Sequence, residues 1–377
     1  KGYLKELQSK PIPKEMAFNI DEYQRRISSV SQSMGATDLD VLVVSFINNV
    51  CYLSGYEAFA ADLPAILILP KDGEPTLAVM ALEIPGALLN GWLNDIRGMD
   101  WMDADAVADE VTKILQEKGL ENARIGIETK RSGLSIDVYE RIKSNLRTAI
   151  LVDASEVVVG VRKIKSEPEL EHMREAAQIS IRGIEAGLGA IRAGITENDI
   201  AAPAFAAMVG SGSEYFSSQP IVAGAHRTSW VHTSFKRTPI KEGHTVILEF
   251  GGVYKRYNAG IMHTSVVGPP SDVVRKLADV SNETLNTLFQ IVKPGRTAHD
   301  IASELNHRIK ALGNEIYNTG MFGYSIGLGF PPTWREMINF IAEGNEEELQ
   351  PGMTFHSPIP FRIPGTLGVG FSETWAV

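Results

Sequence analysis

The stretch IRAGITENDIA at Ile191–Ala201 returns as KPGRTAHDIA at residues 293–302. Gly194 aligns with Gly295, Thr196 with Thr297, and Asp199-Ile200-Ala201 with Asp300-Ile301-Ala302. Both copies follow a long helical pattern, and in both the threonine stands where it can cap the next helix. Helix–Gly–Thr-cap–helix junctions also recur by chance, but a shared DIA tail argues for duplication. The expected architecture is two similar halves, each with two helices followed by strands, packed about a pseudo-dyad. The strands would form a curved antiparallel sheet with the helices on its outer face.

The chain before this repeat has a different rhythm. A surface arm is expected over Lys1–Ile20. Asp21–Met34 reads as an amphipathic helix with Tyr23, Ile27, Val30 and Met34 on one side. Asp40–Phe46 (DVLVVSF) is an expected buried strand, and Ala65–Leu69 and Thr76–Leu82 flank the hairpin signal KDGEP. A helix over Ala104–Lys118, a strand Arg124–Glu128, a helix near Ile136–Asn145 and a strand Ala149–Val152 follow. This alternation predicts an α/β domain with a partly parallel sheet. The boundary is expected near Val159–Lys165, giving domains 1–158 and 159–377. Ser166-Glu-Pro-Glu169 then forms a capping-box pattern, from which a long helix runs to about Ile191.

Composition narrows the function classes. A net charge of −10 over 377 residues argues against a nucleic-acid partner. The single cysteine, Cys51, excludes an intrachain disulfide framework and fits a reducing, cytoplasmic location. No apolar run reaches membrane-spanning length and no signal peptide is evident. The chain opens on Lys1 rather than Met, so its true start is expected upstream.

Chemistry concentrates in Val246–Val267, VILEFGGVYKRYNAGIMHTSVV. An apolar strand delivers Glu249, then Gly251-Gly252, then a second strand carrying His263. A carboxylate in such a strand is costly to bury unless it is paired or used. Glu249 fits a nucleophile, a base for water, or a glutamate bonded to a neighbouring loop. The loop Ser217–Val231 and the Gly/Pro-rich segments Gly323–Glu336 and Gly352–Val377 supply bends able to line a pocket.

VRKIKSEPELEHMREAA, IKEGHTVILEFGGVYKRYNAGIMHTS, PGMTFH and GVGFSETWAV carry a likeness. From about Val159 to Val377 the chain resembles the pita-bread superfamily of methionine aminopeptidase, aminopeptidase P, prolidase and creatinase. Residues 20–150, including NNVCYLSGY, resemble the small N-terminal domain of its creatinase and prolidase branch. The implied fold class is α+β, a pita-bread C-terminal domain with a smaller α/β creatinase-type N-terminal domain. Metallopeptidases of this fold hold two metal ions with two Asp, one His and two Glu. Here the resemblance places Glu249 and Gly260 at the Asp positions, Tyr324 at the His position, Ser357 or Pro358 at the first Glu position, and Glu373 at the last. The resemblance therefore implies no catalytic metal and no cofactor.

FGYSIGLGFPPTW, PGMTFH and the LEFGG strand look most like the metal-free ectoine hydrolase branch. The implied reaction opens the C–N bond of a cyclic amidine to an N-acetyl-diamino acid. Glu249 would attack the amidinium carbon or activate water. His232 would shuttle protons, with His226 as the alternative register. Glu373 would hold water or a second N–H. The resemblance assigns substrate contacts to Arg335, which suits a carboxylate, to Tyr324, His263, His356 and Tyr257, and to Trp230, which with Phe330 could stack on a flat cation. It also implies a homodimer in which Tyr52–Pro64 covers the partner's site. Alternatives left open are a creatinase-type amidinohydrolase, an inactive binding module, and a metallopeptidase with an atypical metal site.

Overall fold

The computed structural model describes residues 12–100, 103–313 and 315–377. The arm expected over residues 1–20 lies, as far as residue 11, outside them. The chain separates into two units, Lys1–Arg162 and Lys163–Val377.

In the first unit six strands, β1 (Val41–Val44), β2 (Ala65–Pro70), β3 (Thr76–Met80), β4 (Ile96–Met99), β5 (Arg124–Ile127) and β6 (Ile150–Asp153), form one mixed sheet ordered β4-β3-β2-β1-β5-β6. β1 runs antiparallel to β2 and parallel to β5. Helices α1 (Ile20–Ala36), α2 (Ile47–Ser54), α3 (Ile84–Asn90), α4 (Ala104–Glu117), α5 (Ile136–Asn145) and α6 (Ser155–Arg162) complete it. Val107, Val111, Ile114 and Leu115 form the buried stripe that packs α4 on the sheet. The expected strand Asp40–Phe46 stops at Val44, because Glu128 takes the backbone N–H groups of Ser45 and Phe46 and turns the chain into α2. That helix, made of NNVCYL, was not foreseen.

The second unit realises the duplicated plan. Helices α7 (Glu167–Ala190) and α8 (Glu197–Gly210) precede β7 (Ile221–Gly224), β8 (Thr245–Tyr254) and β9 (Tyr257–Val266). Helices α9 (Asp272–Ile291) and α10 (Ala298–Ile309) precede β10 (Met321–Phe330), β11 (Thr333–Ala342), β12 (Thr354–Ile363) and β13 (Leu367–Ala376). The two helix junctions match in detail. Gly194 and Gly295 stand at φ +88° and +85°, a conformation glycine adopts without steric cost. Gly194 N–H donates to Ile240 O at 2.9 Å, and Gly295 N–H to Leu349 O at 2.8 Å. Thr196 forms a capping box with Asp199, and Thr297 accepts from Asp300 N–H.

The sheet runs β13-β12-β10-β9-β8-β7, with β11 paired to β10, and every pairing is antiparallel. Its outer face carries the helices. Val274, Leu277, Leu285 and Leu288 of α9 join Phe355, Ile359 and Phe361 of β12 in one apolar cluster. Each such side chain contributes roughly 1.5–3 kcal/mol on burial. Ser180 of α7 ties the helix to the β8–β9 hairpin, accepting from Gly252 N–H at 2.7 Å and donating to Ala259 O at 2.6 Å.

Candidate active site

Strand pleating decides which side chains leave the helix-covered core. In β12, Phe355, Ile359 and Phe361 pack under the helices, so the alternate set His356, Pro358, Pro360 and Arg362 projects from the inner face. In the β8–β9 hairpin Glu249 lies opposite Met262. Glu249, Met262, Tyr324, Trp334, Pro358, Pro360 and Arg362 line a cavity of about 650 Å³ within the second unit. Its wall also includes His232, Phe235, Lys236 and Arg335.

At its base Glu249 is 7% exposed, and its Oε1 lies 3.3 Å from Nε2 of the fully buried His356. His356 Nδ1 lies 3.2 Å from Thr374 Oγ1, and the Thr374 hydroxyl donates to Gly260 O at 2.8 Å. With its proton committed to Gly260, Thr374 accepts from Nδ1–H. Nε2 then faces the Glu249 carboxyl group and has no hydrogen-bond partner among the described residues. The rings of Tyr324 and Trp334 lean on the imidazole at 5.4 and 5.6 Å, and Trp334 Nε1–H donates to Tyr324 Oη at 2.9 Å. Burial, reinforced by the Glu249 charge, holds the Tyr324 phenol above its ordinary range, so it stays protonated.

A second buried charge was missed in the sequence. Arg362 is 3% exposed, and its Nε and Nη1 have no hydrogen-bond partner among the described residues. Burial lowers its pKa, and the Glu249 carboxylate opposes that shift. The signal was present in PIPFRI. The apolar residues at 359, 361 and 363 mark the covered face, which leaves Arg362 on the open one.

The remaining expectations divide. His232 and Arg335 are both exposed and line the cavity wall; His226 does not line it. Five assignments are corrected. Glu373 pairs with Ser357, whose hydroxyl accepts from Trp375 on the helix-covered side. The cavity-side neighbour of Pro358 is Ser372, whose Oγ accepts from Met262 N–H at 2.6 Å. His263 pairs with Leu248, one residue out of phase with Glu249, and its ring packs edge-on against Phe371 at 5.0 Å. Tyr257 is 1% exposed and gives its hydroxyl proton to Glu169 of α7 at 2.8 Å. Trp230 is 60% exposed and does not line the cavity. Phe330 is also taken, lying beneath the Arg256 guanidinium at 4.9 Å.

Residues 171–377 match metallopeptidase family M24, and residues 26–164 match the creatinase/prolidase N-terminal domain. The chain belongs to the M24 family. It is 31% identical to an uncharacterised hydrolase/peptidase of Sinorhizobium fredii, covering 94% of this chain and 92% of that one. It is 28% identical to the ectoine hydrolase of Halomonas elongata, covering 92% and 90%. Among solved structures, the prolidase of Pyrococcus horikoshii OT3 superposes with a TM-score of 0.80 at 23% identity, over 94% of this chain and 95% of that one. The α/β N-terminal domain and pita-bread C-terminal domain are those of this family. Its named relatives are hydrolases. No helix among the described residues is long and apolar enough to cross a membrane.

The donor set does not fit the family's pair of metal ions. Of the five ligand positions that the resemblance implies, Glu249 alone presents a carboxylate to the cavity. Gly260, Tyr324 and Ser357 or Pro358 hold three others, and Glu373 faces away. The place of a side chain at Gly260 is taken by the His356 ring, since a Cβ there would meet Nδ1 at 2.6 Å. Among the described residues no cluster of three or more His, Cys, Asp or Glu side chains is arranged to hold a metal ion.

Proposed function

We propose that this chain is a metal-independent hydrolase that opens the C–N bond of a small cyclic amidine carrying a carboxylate, with ectoine as the best representative. The observation that carries the reading is Glu249: a buried carboxylate facing a cavity, while the other implied metal-ligand positions hold Gly260, Tyr324, Ser357 or Pro358, and a Glu373 turned away. The relationship to an ectoine hydrolase supports the substrate class.

The Glu249 carboxylate attracts the amidinium and adds to its carbon. A C–O bond forms and the C=N π pair withdraws onto a ring nitrogen. Water then displaces the carboxylate. The resulting tetrahedral carbon expels one ring nitrogen as an amine, after His232 passes it the proton given up by water. Amidinium and water thus become an N-acetyl amide and an ammonium group. His356 fixes the carboxylate from below and is its counter-charge when protonated. Within the same reading the enzyme works as a homodimer in the cytoplasm, with Tyr52–Pro64 covering the partner's cavity; Phe59, 90% exposed, is the apolar tip of that segment.

The test is incubation with ectoine and mass spectrometry of both product and protein. An N-acetyl-diaminobutyrate product, and its loss in Glu249→Gln with folding retained, are expected. Near-normal turnover by that variant would remove Glu249 from the chemistry. Turnover of creatine or an Xaa-Pro dipeptide in place of ectoine would replace the substrate assignment.

A further inference from the structure

The proposed chemistry occupies Glu249, His356 and His232 and leaves the deepest cation of the cavity without work. Arg362 sits three inner-face positions from His356 on β12, its backbone locked to Tyr317 in both directions at 2.7 and 3.0 Å. The side chain is almost wholly removed from water, yet Nε and Nη1 meet no acceptor among the described residues. Leaving a guanidinium in that state costs free energy on folding. A structural arginine of this depth is normally neutralised. In the same unit Lys165 is paired with Glu336 at 2.5 Å, and Arg227 with Glu197 at 3.0 Å. Glu249, the cavity's carboxylate, is already engaged by His356.

We infer that Arg362 is the anchor for the substrate's carboxylate, so that the cavity selects a zwitterion held between a buried guanidinium and the Glu249 carboxylate. A planar guanidinium offers two parallel N–H donors to a carboxylate, and Nε with one Nη is such a pair. The exposed Arg335, assigned this role from the sequence, then guides the anion at the rim. The cavity wall agrees in sign: it carries the cations Lys236, Arg335 and Arg362 against the single carboxylate of Glu249.

This inference rests on the proposed reaction for its substrate, so the experiment has separate arms. With ectoine, Arg362→Met is expected to raise KM about 10- to 100-fold, the range for loss of a charged hydrogen-bonded pair, and to leave kcat within a few fold. With the decarboxylated ring, 2-methyl-1,4,5,6-tetrahydropyrimidine, the same substitution should change neither constant. Arg335→Met should raise the ectoine KM by a smaller factor. The apo variant should melt no lower than the parent, because an unpaired buried charge has been removed; a merely structural arginine would lower the melting temperature and leave KM alone. If the parent turns over no ectoine, the proposed reaction fails. Calorimetric binding of ectoine and of proline to parent and variant then decides the anchor by itself. Binding of either that is lost in Arg362→Met supports it; equal binding, or no binding of either to the parent, overturns it.

Discussion

Gly260→Ala tests the structural claim on which the chemistry depends, namely that an imidazole has taken the space of a metal ligand. A methyl group at this position would lie 2.6 Å from Nδ1 and 2.7 Å from Cε1 of His356. Carbon contacts are favourable at about 3.5–4.0 Å, so the overlap is roughly 1 Å. The ring cannot retreat easily, because Tyr324 and Trp334 lie against it and Nδ1 is held by Thr374. Overpacking of this kind costs about 1–3 kcal/mol. For a unit of this size each kcal/mol moves the melting temperature about 2–4 °C, so a fall of about 2–12 °C is expected. Urea unfolding followed by circular dichroism gives the free energy. Gly189→Ala, on an exposed helix position with no atom near its added Cβ, is the control and should be neutral or stabilising by up to about 1 kcal/mol. The decisive measurement is a cycle with His356→Ala. In that background the Gly260 substitution should cost almost nothing, giving an interaction energy close to the whole single-variant loss. Equal losses in both backgrounds, or a Gly260→Ala protein as stable as the parent, would refute the displacement.

Dialysis against a chelator should leave ectoine turnover unchanged; a loss restored by adding a divalent metal would sink the metal-independent reading. Lys165→Met leaves Glu336 wholly buried without its 2.5 Å partner and should cost about 3–5 kcal/mol in unfolding free energy, much of it recovered in the Lys165→Met/Glu336→Leu double variant. Burial lowers the pKa of His263, so its contribution to stability is full above the ordinary imidazole value of 6.5 and is lost as pH falls from there through the depressed folded value. His263→Phe should therefore flatten the acid-side slope of stability against pH; an unchanged slope would show that His263 is not its source.

Much of this fold was legible because repetition and capping are local. Gly194 and Gly295, with the threonines that follow them, sit in the same backbone state and bond the same kind of loop, and a single chain displays both copies. The helix α2 was hidden because its cause is remote: Glu128, far along the chain, captures the N–H groups of Ser45 and Phe46. The site failed in a different way. Family position placed Glu373 in the cavity, and a slip of one residue exchanges the faces of a strand. The correct face could be read from GFSETW. Phe371 and Trp375 stand two residues either side of Glu373, share its face and pack under the helices, so Ser372 and Thr374 point inward. Likewise His263 shares a face with Tyr257, which bonds α7, and not with Met262. Composition and motif located the right strands; only pleat parity, set by the apolar neighbours, decided which carboxylate and which histidine meet the cavity.

That parity also explains how the cavity tolerates its charge. A dinuclear site balances several carboxylates against two divalent ions. Here the carboxylates facing inward have been reduced to Glu249, and a buried carboxylate without a counter-charge would be neutralised by protonation. His356 lies 3.3 Å from that carboxylate, in the position that Gly260 leaves open, and is the group placed to supply such a charge. The exchange is self-consistent: glycine is needed for the ring to fit, and the ring is not compatible with a ligand at residue 260. What remains on the wall is a surplus of cations at Lys236, Arg335 and Arg362. Such a wall attracts an anion. A ligand that satisfies both it and Glu249 must carry its negative and positive groups on one small framework. Under the proposed reading a carboxylated amidinium ring has that form, and an amidinium ring without the carboxylate lacks half of it.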